Sequence, residues 1–234
     1  MRNNCCAIIT ARGGSKRIPD KNIKLFNGRP IISYSINVAF ESGLFEDVIV
    51  STDSLIIEKV ARDLGANVPF RRSVQNSDDF STTSDVLIEV LDNLAKQGRN
   101  YKYICCIYPT APMITKDILT RGFELLLENS FDSVFPISEF SAPIFRSLKI
   151  NNDNKLEYNW PEYKNTRSQD IEKAYFDAGQ FYWINVETFL QNKDIVTNNS
   201  GGIILNQLIV QDIDNEEDWI IAELKHQLNI GKFN

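Results

Sequence analysis

Short apolar runs alternate with helix-like patterns along the first half of the chain. The runs are almost continuously apolar, which is typical of strands buried on both faces of a sheet. The pattern predicts strands at residues 6–11, 47–52, 103–108 and 133–137, and helices at 30–42, 54–64, 84–97 and 115–129, with Ser84 as the cap of the third helix. This order of elements predicts an α/β fold with a mostly parallel sheet and helices on both faces.

The alternation stops between about residues 140 and 175. That segment is polar and aromatic, and asparagines at 151–154 mark a turn between two alternating stretches, which predicts a β-hairpin. Strands are predicted again at 179–184 and 208–212, before a closing helix at 216–229. We therefore expect residues 1–234 to form one domain with a small β-rich lobe inserted at about 140–175.

Composition excludes several classes of function. A net charge of −6 argues against a general nucleic-acid or membrane-surface role. No apolar stretch reaches the roughly 18 residues of a membrane span, and the start lacks a signal-peptide pattern, so a cytoplasmic location is expected. The four cysteines lie in apolar strands without Cys-x-x-Cys spacing, which indicates core packing. His226 is the only histidine and lies far along the chain from every motif, so we interpret it as a surface or packing residue.

Residues 11–24, the basic loop, follow the first predicted strand and combine two glycines with several cations. The cations are Arg12, Lys16, Arg17, Lys21 and Lys24. Glycines let backbone N–H groups approach a ligand, and arginine and lysine add charge-assisted bonds to phosphate oxygens. Neither the Gly-Lys-Ser/Thr ending of a Walker A loop nor Gly-x-Gly-x-x-Gly is present. The loop is predicted to bind a polyphosphate, and the alternative is a solvated turn.

Two aspartates near the end of the chain, Asp212 and Asp214, form the second candidate site. On a strand they would point to the same face, where two carboxylates repel each other unless a cation neutralises them. Mg²⁺ favours one or two carboxylates together with phosphate oxygens. The alternative is a strand-end turn in which Asp214 caps the last helix. Beside a phosphate-binding loop, magnesium binding is the better interpretation.

Three further segments are suited to reading a nucleotide and a sugar. Residues 71–83 supply arginines and short hydroxyl side chains, and residues 108–112 form a proline-rigidified loop after a strand. Residues 165–183 place Arg167 among hydroxyl, amide and aromatic side chains, which suits a carboxylated sugar. The alternatives are an ordinary surface loop and aromatic core packing.

Taken together, these motifs resemble the acylneuraminate cytidylyltransferase family over nearly the whole chain. The resemblance rests on Ala11-Arg12-Gly13-Gly14-Ser15-Lys16 with Lys21-Asn22, on Cys106-Ile107-Tyr108-Pro109-Thr110-Ala111-Pro112, on Thr166-Arg167-Ser168-Gln169-Asp170, on residues 174–182 and on Asp212-Ile213-Asp214. Details are similar to the branch that activates pseudaminic acid. Tyr108 replaces a glutamine and Phe176-Asp177-Ala178-Gly179 replaces Arg-Pro-Asn-Gly of the sialic acid enzymes, and both departures weaken a sialic acid assignment.

The resemblance implies a nucleotide-diphospho-sugar transferase fold, CTP as substrate, Mg²⁺ as cofactor and a homodimer in which the inserted lobe reaches the partner's site. It implies roles for Arg12 and Lys21 on the triphosphate, for Ala11 and the N–H groups of Gly13, Gly14 and Ser15 beside it, for Asn22, Arg72 and Thr83 near ribose and cytosine, and for Asp212 and Asp214 on the metal. Arg167 with Arg146 would hold the sugar carboxylate, and Tyr108 and Gln180 would read other sugar groups.

The implied activity is transfer of CMP from CTP to a nine-carbon 2-keto acid sugar. Synthetases for legionaminic, N-acetylneuraminic or 3-deoxy-octulosonic acid are alternatives. A nucleotide-binding regulatory module without turnover is the alternative from another class, and the intact pair of aspartates counts against it.

Overall fold

The computed structural model describes residues 4–230 of the chain. Its strands are β1 (Cys5–Thr10), β2 (Leu25–Phe26), β3 (Arg29–Pro30), β4 (Asp47–Ser51), β5 (Tyr103–Ile107), β6 (Ser133–Glu139), β7 (Leu148–Ile150), β8 (Leu156–Tyr158), β9 (Tyr175–Asp177), β10 (Phe181–Asn185) and β11 (Ser200–Ile204). Its α-helices are α1 (Ile32–Ser42), α2 (Leu55–Asp63), α3 (Thr83–Lys96), α4 (Lys116–Glu128), α5 (Val186–Asn192) and α6 (Glu216–Ile230).

The main sheet has the strand order β11-β6-β10-β5-β1-β4, with β9 beside β6. Strand β1 pairs in parallel with β4 and β5, and β6 pairs in parallel with β11. Strand β10 lies antiparallel between β5 and β6, so these two neighbours of β10 run in the same direction. Only β9 and β10 oppose the other strands of this sheet, which confirms the predicted mostly parallel arrangement.

Helices cover both faces of this sheet, as predicted. Successive side chains of a strand point to opposite faces, and β1 shows this directly. Ala7 and Ile9 pack in one buried cluster with residues of α1, α2 and α4, whereas Cys6 and Ile8 pack in another with residues of α3 and α5. All four cysteines are buried in β1 and β5, which confirms their predicted packing role.

Helix α3 begins earlier than the sequence pattern predicts. Thr82, not Ser84, is the N-cap: its Oγ1 accepts a hydrogen bond from the N–H of Asp85 at 3.2 Å, and the Asp85 carboxylate accepts one from the N–H of Thr82 at 3.0 Å. This reciprocal capping box satisfies two backbone donors, which a cap at Ser84 would leave unpaired. Thr83 therefore lies at the first position of the helix.

The end of the main sheet differs from the prediction. Strand β11 was missed because its two glycines lower strand propensity. A Cβ atom at Gly201 would lie 2.5 Å from the Phe131 ring, so a glycine is needed where β11 packs beside β6.

The predicted strand at 208–212 is wrong: a 3₁₀ turn, Gln207–Ile209, leads into an extended segment without a strand partner. Residues 211–214, the acidic segment, are part of it.

Along this extended stretch, side chains supply the hydrogen-bond donors that a neighbouring strand would otherwise provide. The Nε2 atom of Gln180 donates to the carbonyl of Ile209, Lys225 Nζ donates to that of Val210, and Lys21 Nζ donates to that of Ile213, each at 2.7 Å. Backbone acceptors must be paired somewhere when they leave water. The acidic segment therefore depends on side chains from three different parts of the chain for its position.

The segment between β6 and β9 contains the predicted hairpin, formed by β7 and β8. The Asn151 side-chain oxygen accepts hydrogen bonds from the N–H groups of Asp153 and Lys155, which fixes the turn. Leu148, Ile150 and Leu156 on this hairpin are exposed. Strand β9 then returns to the main sheet beside β6.

Helix α6 closes the fold against the start of the chain. Trp219 and Ala222 pack with Ile18, Phe26 and Ile213, which brings the acidic segment next to the basic loop. Across residues 4–230, none of the helices combines the length and the apolarity that crossing a bilayer requires.

Candidate active site

A cavity of about 430 Å³, the first cavity, lies where β1 and β5 end at one edge of the sheet. Ligands of open parallel sheets bind beyond the carboxyl ends of the strands, so this position agrees with the topology. Its lining residues are Thr10, Arg12, Ser15, Lys16, Arg17, Ile18, Lys21, Asn22, Tyr108, Pro109, Thr110, Asp212 and Asp214. Most of the predicted triphosphate and metal residues are thus brought together, although they lie about 200 positions apart in the chain.

The basic loop approaches the loop after β4 very closely at Gly13. Its N–H donates a hydrogen bond to the Asp53 carboxylate at 2.8 Å, and a Cβ atom here would lie 2.9 Å from the Cβ atom of Ser54. Ser15 N–H donates to the Gly13 carbonyl, and the buried Ala11 donates its N–H to the Ser51 carbonyl, both at 3.0 Å. These contacts fix the start of the basic loop beside the carboxyl end of β4.

Two cations of the loop are paired with aspartates of the 73–82 loop. Arg12 Nη1 lies 2.9 Å from a carboxylate oxygen of Asp79 and donates to the carbonyl of Asp78 at 2.6 Å. Lys16 forms an ion pair with the same Asp79 carboxylate. Asp79 therefore pairs with the charges that the sequence assigns to a polyphosphate.

The acidic segment faces the other side of the basic loop. Arg17 Nη2 lies 2.6 Å from a carboxylate oxygen of Asp214, and Lys21 Nζ donates to the Ile213 carbonyl. Desolvation lowers the pKa of the Lys21 ammonium, although the charges of Asp214 and Asp212 oppose that shift. Desolvation within the cavity, and then repulsion from Asp214, raise the pKa of Asp212. Asp212, Asp214 and Lys21 line the same cavity, and their charges therefore act on one another.

The predicted nucleotide-reading residues lie around the same cavity, but not all of them line it. Asn22 is buried and its side-chain N–H donates to the Arg12 carbonyl at 2.9 Å. The buried Arg72 guanidinium donates to the side chain and carbonyl of Ser51, and so it holds the carboxyl end of β4 in place. Thr83 contacts the cavity through Tyr108, since their hydroxyl oxygens are 3.0 Å apart.

The predicted sugar residues are more scattered. Gln180 is 2 % exposed, and its side-chain carbonyl oxygen has no hydrogen-bond partner within residues 4–230. Arg146 donates to the Thr166 carbonyl at 3.3 Å, and the exposed Arg167 pairs with Asp170 at 2.7 Å. Neither arginine lines the first cavity.

Lys16 and Arg17 line the cavity but were not assigned a site role from the sequence, although both were noted among the cations of the loop. Their charge and position were the available signal. The cap of α3 also had a signal, the Thr82-x-x-Asp85 capping-box pattern before an apolar run, whereas the placement of the acidic segment off the sheet had none.

The carboxylates of this site are suited to a metal ion only when phosphate oxygens supply its other ligands. Across residues 4–230, no group of three or more histidine, cysteine, aspartate or glutamate side chains could hold a metal ion. Asp212 and Asp214 offer two carboxylates beside four cations on the cavity wall. Such a donor set suits Mg²⁺ shared with phosphate oxygens, because that ion takes few protein ligands when phosphates supply the others.

Comparison with known proteins defines the class. The family model for cytidylyltransferases matches residues 6–230, so the chain belongs to the cytidylyltransferase family and is a CTP-using nucleotidyltransferase. Two relatives from Campylobacter jejuni, of serotypes O:2 and O:23/36, are pseudaminic acid cytidylyltransferases. They are 39% and 38% identical over 229 residues, which is 98% of each chain. A CMP-N,N'-diacetyllegionaminic acid synthase of Legionella pneumophila is 29% identical over 232 residues, covering 95% of this chain and 96% of its own.

Solved structures agree with the fold. A CMP:2-keto-3-deoxy-manno-octonic acid synthetase complexed with CTP has a TM-score of 0.69 at 14% identity, with 97% of this chain and 99% of that chain covered. A 4-diphosphocytidyl-2C-methyl-D-erythritol synthase from Anaerococcus prevotii has a TM-score of 0.62 at 15% identity, with 95% and 98% covered. The nucleotide-diphospho-sugar transferase fold expected from the sequence is confirmed.

Proposed function

We propose that this enzyme transfers CMP from CTP to the anomeric hydroxyl of pseudaminic acid, a nine-carbon 2-keto acid sugar, and releases pyrophosphate. The observation that carries the proposal is the first cavity, where a cation-rich loop faces two carboxylates. The full-length similarity to pseudaminic acid cytidylyltransferases supports the choice of sugar.

In the proposed complex the triphosphate lies along the basic loop. Arg12 and Lys21 contact its oxygens and neutralise the charge that develops on the departing pyrophosphate. The backbone at Gly13, Gly14 and Ser15 approaches the phosphates closely, since the glycines carry no side chain to prevent it. Asn22, Arg72 and Thr83 lie on the side where ribose and cytosine are proposed to bind, with Arg72 acting through the Ser51 end of β4.

Asp212 and Asp214 would hold Mg²⁺, which supplies positive charge to the phosphate oxygens when it is bound. The chain's own residues do the rest. Arg17, which pairs with Asp214, would become available to phosphate when that carboxylate is engaged elsewhere. Asp218 accepts hydrogen bonds from the N–H groups of Asp214 and Asn215 at 3.0 and 3.1 Å, and so supports the acidic segment at its junction with α6.

The reaction forms a bond between the anomeric oxygen of the sugar and the α-phosphorus of CTP, and breaks the bond from that phosphorus to the oxygen of pyrophosphate. The proton of the anomeric hydroxyl is released. With no histidine on the cavity wall, the protein contributes alignment and charge neutralisation, which is what phosphoryl transfer mainly requires. Tyr108, which lines the first cavity together with Asp212 and Asp214, and Gln180, which donates to the Ile209 carbonyl, are proposed to read the part of the sugar nearest the reacting bond.

We also propose a homodimer in which the β7–β8 hairpin is a contact. The exposed Leu148, Ile150 and Leu156 make its outer surface apolar, and a partner chain would cover that surface. In such a dimer Arg146 and Arg167, which lie outside the first cavity in a single chain, could face the partner's sugar site. Light scattering of the wild type and a Leu156→Glu variant tests this directly, since a monomeric wild type contradicts the proposal.

The decisive experiment measures pyrophosphate release from CTP and Mg²⁺ with pseudaminic, legionaminic, N-acetylneuraminic and 3-deoxy-octulosonic acids, with product masses recorded. Turnover with pseudaminic acid alone supports the full proposal. Preference for another sugar keeps the chemistry and overturns the substrate. CTP binding without turnover on any sugar favours the regulatory-module alternative.

A further inference from the structure

A second cavity of about 400 Å³ adjoins the first, and Asp212 and Asp214 line both. Volumes of roughly 300–1,000 Å³ are usual for small-molecule sites. Apart from the acidic segment, its wall includes two aromatic rings, Phe140 and Phe176, and one cation, Lys225. A ligand in the second cavity would therefore meet a ligand in the first across the two carboxylates.

Lys225 is half-buried and is paired only with uncharged groups. Its Nζ atom donates to the Val210 carbonyl at 2.7 Å and to the side-chain oxygen of Gln211 at 2.9 Å. No ion pair of Lys225 occurs in the part of the chain from 4 to 230, whereas Lys24 of the basic loop pairs with Glu216 at the start of α6. Removing an ammonium from water without an anionic partner costs free energy. Desolvation accordingly lowers the pKa of Lys225. An anionic ligand would compensate this charge.

The lining residues indicate which substrate each cavity binds: the first suits a triphosphate and the second suits a sugar acid. The first cavity carries four cations, which match several phosphate charges. The second carries only one, Lys225, so it cannot neutralise the several charges of a polyphosphate. Asp218 and the shared aspartates also line it, so a ligand that fits has one anionic group, placed at Lys225. A single carboxylate matches a single ammonium, aromatic rings pack against apolar faces of a sugar, and Gln207 and Gln211 can bind hydroxyl and amide groups.

We propose that the second cavity holds the acidic sugar, with the Lys225 ammonium pairing with its carboxylate. Arg146 and Arg167, to which the sequence assigned this task, are engaged with Thr166 and Asp170 and line neither cavity. A sugar bound in this way has its anomeric hydroxyl, which is attached to the same carbon as the carboxylate, next to the acidic segment and the α-phosphate beyond it. This inference rests on the proposed function and assigns a residue to its second substrate.

The test is a double-substitution cycle: one change removes the charge of Lys225, and the other removes the charge of the sugar carboxylate. Wild type, Lys225→Met and Lys225→Arg are assayed with pseudaminic acid and with its C1 carboxamide. Lys59→Met, which removes an exposed lysine of α2 that pairs with Asp63, is the matched control. CTP affinity and thermal stability are measured for every variant, because Lys225 also supports the acidic segment through Val210.

Lys225→Met is expected to raise the KM for the sugar about ten- to one-hundred-fold, the range for a hydrogen bond to a charged group, with the KM for CTP unchanged. Lys225→Arg is expected to recover part of that loss. With the carboxamide, wild type and Lys225→Met should differ little, because the charge to be paired is gone. An equal effect of Lys225→Met on both sugars, or on CTP and sugar alike, overturns the inference. A wild type that is inactive with every sugar instead overturns the proposed function, and this inference with it.

Discussion

The Nη1 atom of Arg12 lies 2.9 Å from a carboxylate oxygen of Asp79. Lys16 pairs with the same carboxylate, so one residue of the 73–82 loop pairs with two cations of the basic loop. A triphosphate bound along the basic loop would have to replace Asp79 at both positions. The loop that carries Asp79 also exposes Phe80 almost completely, so little apolar packing opposes its displacement.

Asp79→Asn is therefore expected to lower the dissociation constant for CTP about two- to five-fold. An exposed ion pair is weak, and the variant no longer loses it when the phosphates arrive. Titration calorimetry with CTP measures the change. Asp63→Asn, which breaks the exposed pair with Lys59, is the control. Weaker CTP binding by Asp79→Asn would mean that Asp79 orders the site instead of competing with the ligand.

Asp212→Asn is expected to lower kcat about 10²-fold or more, as the loss of a major electrostatic element of an active site does. The amide keeps the size of the side chain and removes the charge that would bind Mg²⁺. Steady-state rates at increasing Mg²⁺ concentration, with Asp63→Asn alongside, measure this. Near-normal turnover at saturating Mg²⁺ would remove Asp212 from the metal site.

The fold and the position of the site could be predicted because both follow from local patterns. Buried apolar strands alternating with helices define the sheet, and a basic loop after β1 must lie at its carboxyl edge. The place of the acidic segment could not be predicted in the same way. Its period-two aspartates suggest a strand, yet the carbonyls of Ile209 and Val210 just before it and of Ile213 within it are bound by side chains that are remote in the chain, those of Gln180, Lys225 and Lys21.

Strand β11 and Lys225 were missed for a related reason. Gly201 gives no strand signal, yet only a glycine fits at this position because the Phe131 ring occupies the space that a Cβ atom would need. Lys225 belongs to no motif, and its position beside the second cavity becomes visible only when α6 packs against the basic loop. Both are properties of tertiary packing, which propensity and spacing do not encode.

Lys21→Ala is expected to raise the KM for CTP, lower kcat or change both by ten-fold or more, because the ammonium would contact phosphate and also holds the Ile213 carbonyl. Lys21→Arg is the informative partner, since it keeps the charge. Partial recovery in Lys21→Arg would separate the charge from the support of the acidic segment. Kinetics of Lys21→Ala that match the Lys59→Ala control would remove Lys21 from the triphosphate site.

Tyr108→Gln is expected to change sugar preference more than CTP affinity. The Tyr108 hydroxyl lies 3.0 Å from that of Thr83, and its ring packs 5.5 Å from the ring of Tyr182, so the residue stands between the predicted nucleotide and sugar sides. Ratios of kcat/KM for pseudaminic and N-acetylneuraminic acids measure the preference. Tyr108→Phe is the control that removes only the hydroxyl. Equal losses for CTP and for both sugars would place Tyr108 in general support of the cavity.

His226→Gln is expected to make stability less sensitive to mild acid. The imidazole packs against the rings of Phe26 and Tyr34 at centroid distances of 5.3 and 5.0 Å, and its pKa is lowered by burial and then by the charge of Arg29. A histidine whose folded pKa lies below its unfolded value of about 6.5 binds more protons when unfolded. Its neutral form thus keeps full stability above about pH 6.5, and stability falls as the pH drops below that value towards the folded pKa.

Urea unfolding at pH 7.5 and 5.5 should show a larger loss of unfolding free energy for wild type than for the His226→Gln variant. The substitution leaves the carboxylates unchanged, and His226 is the only histidine, so equal losses would show that its protonation is not linked to folding.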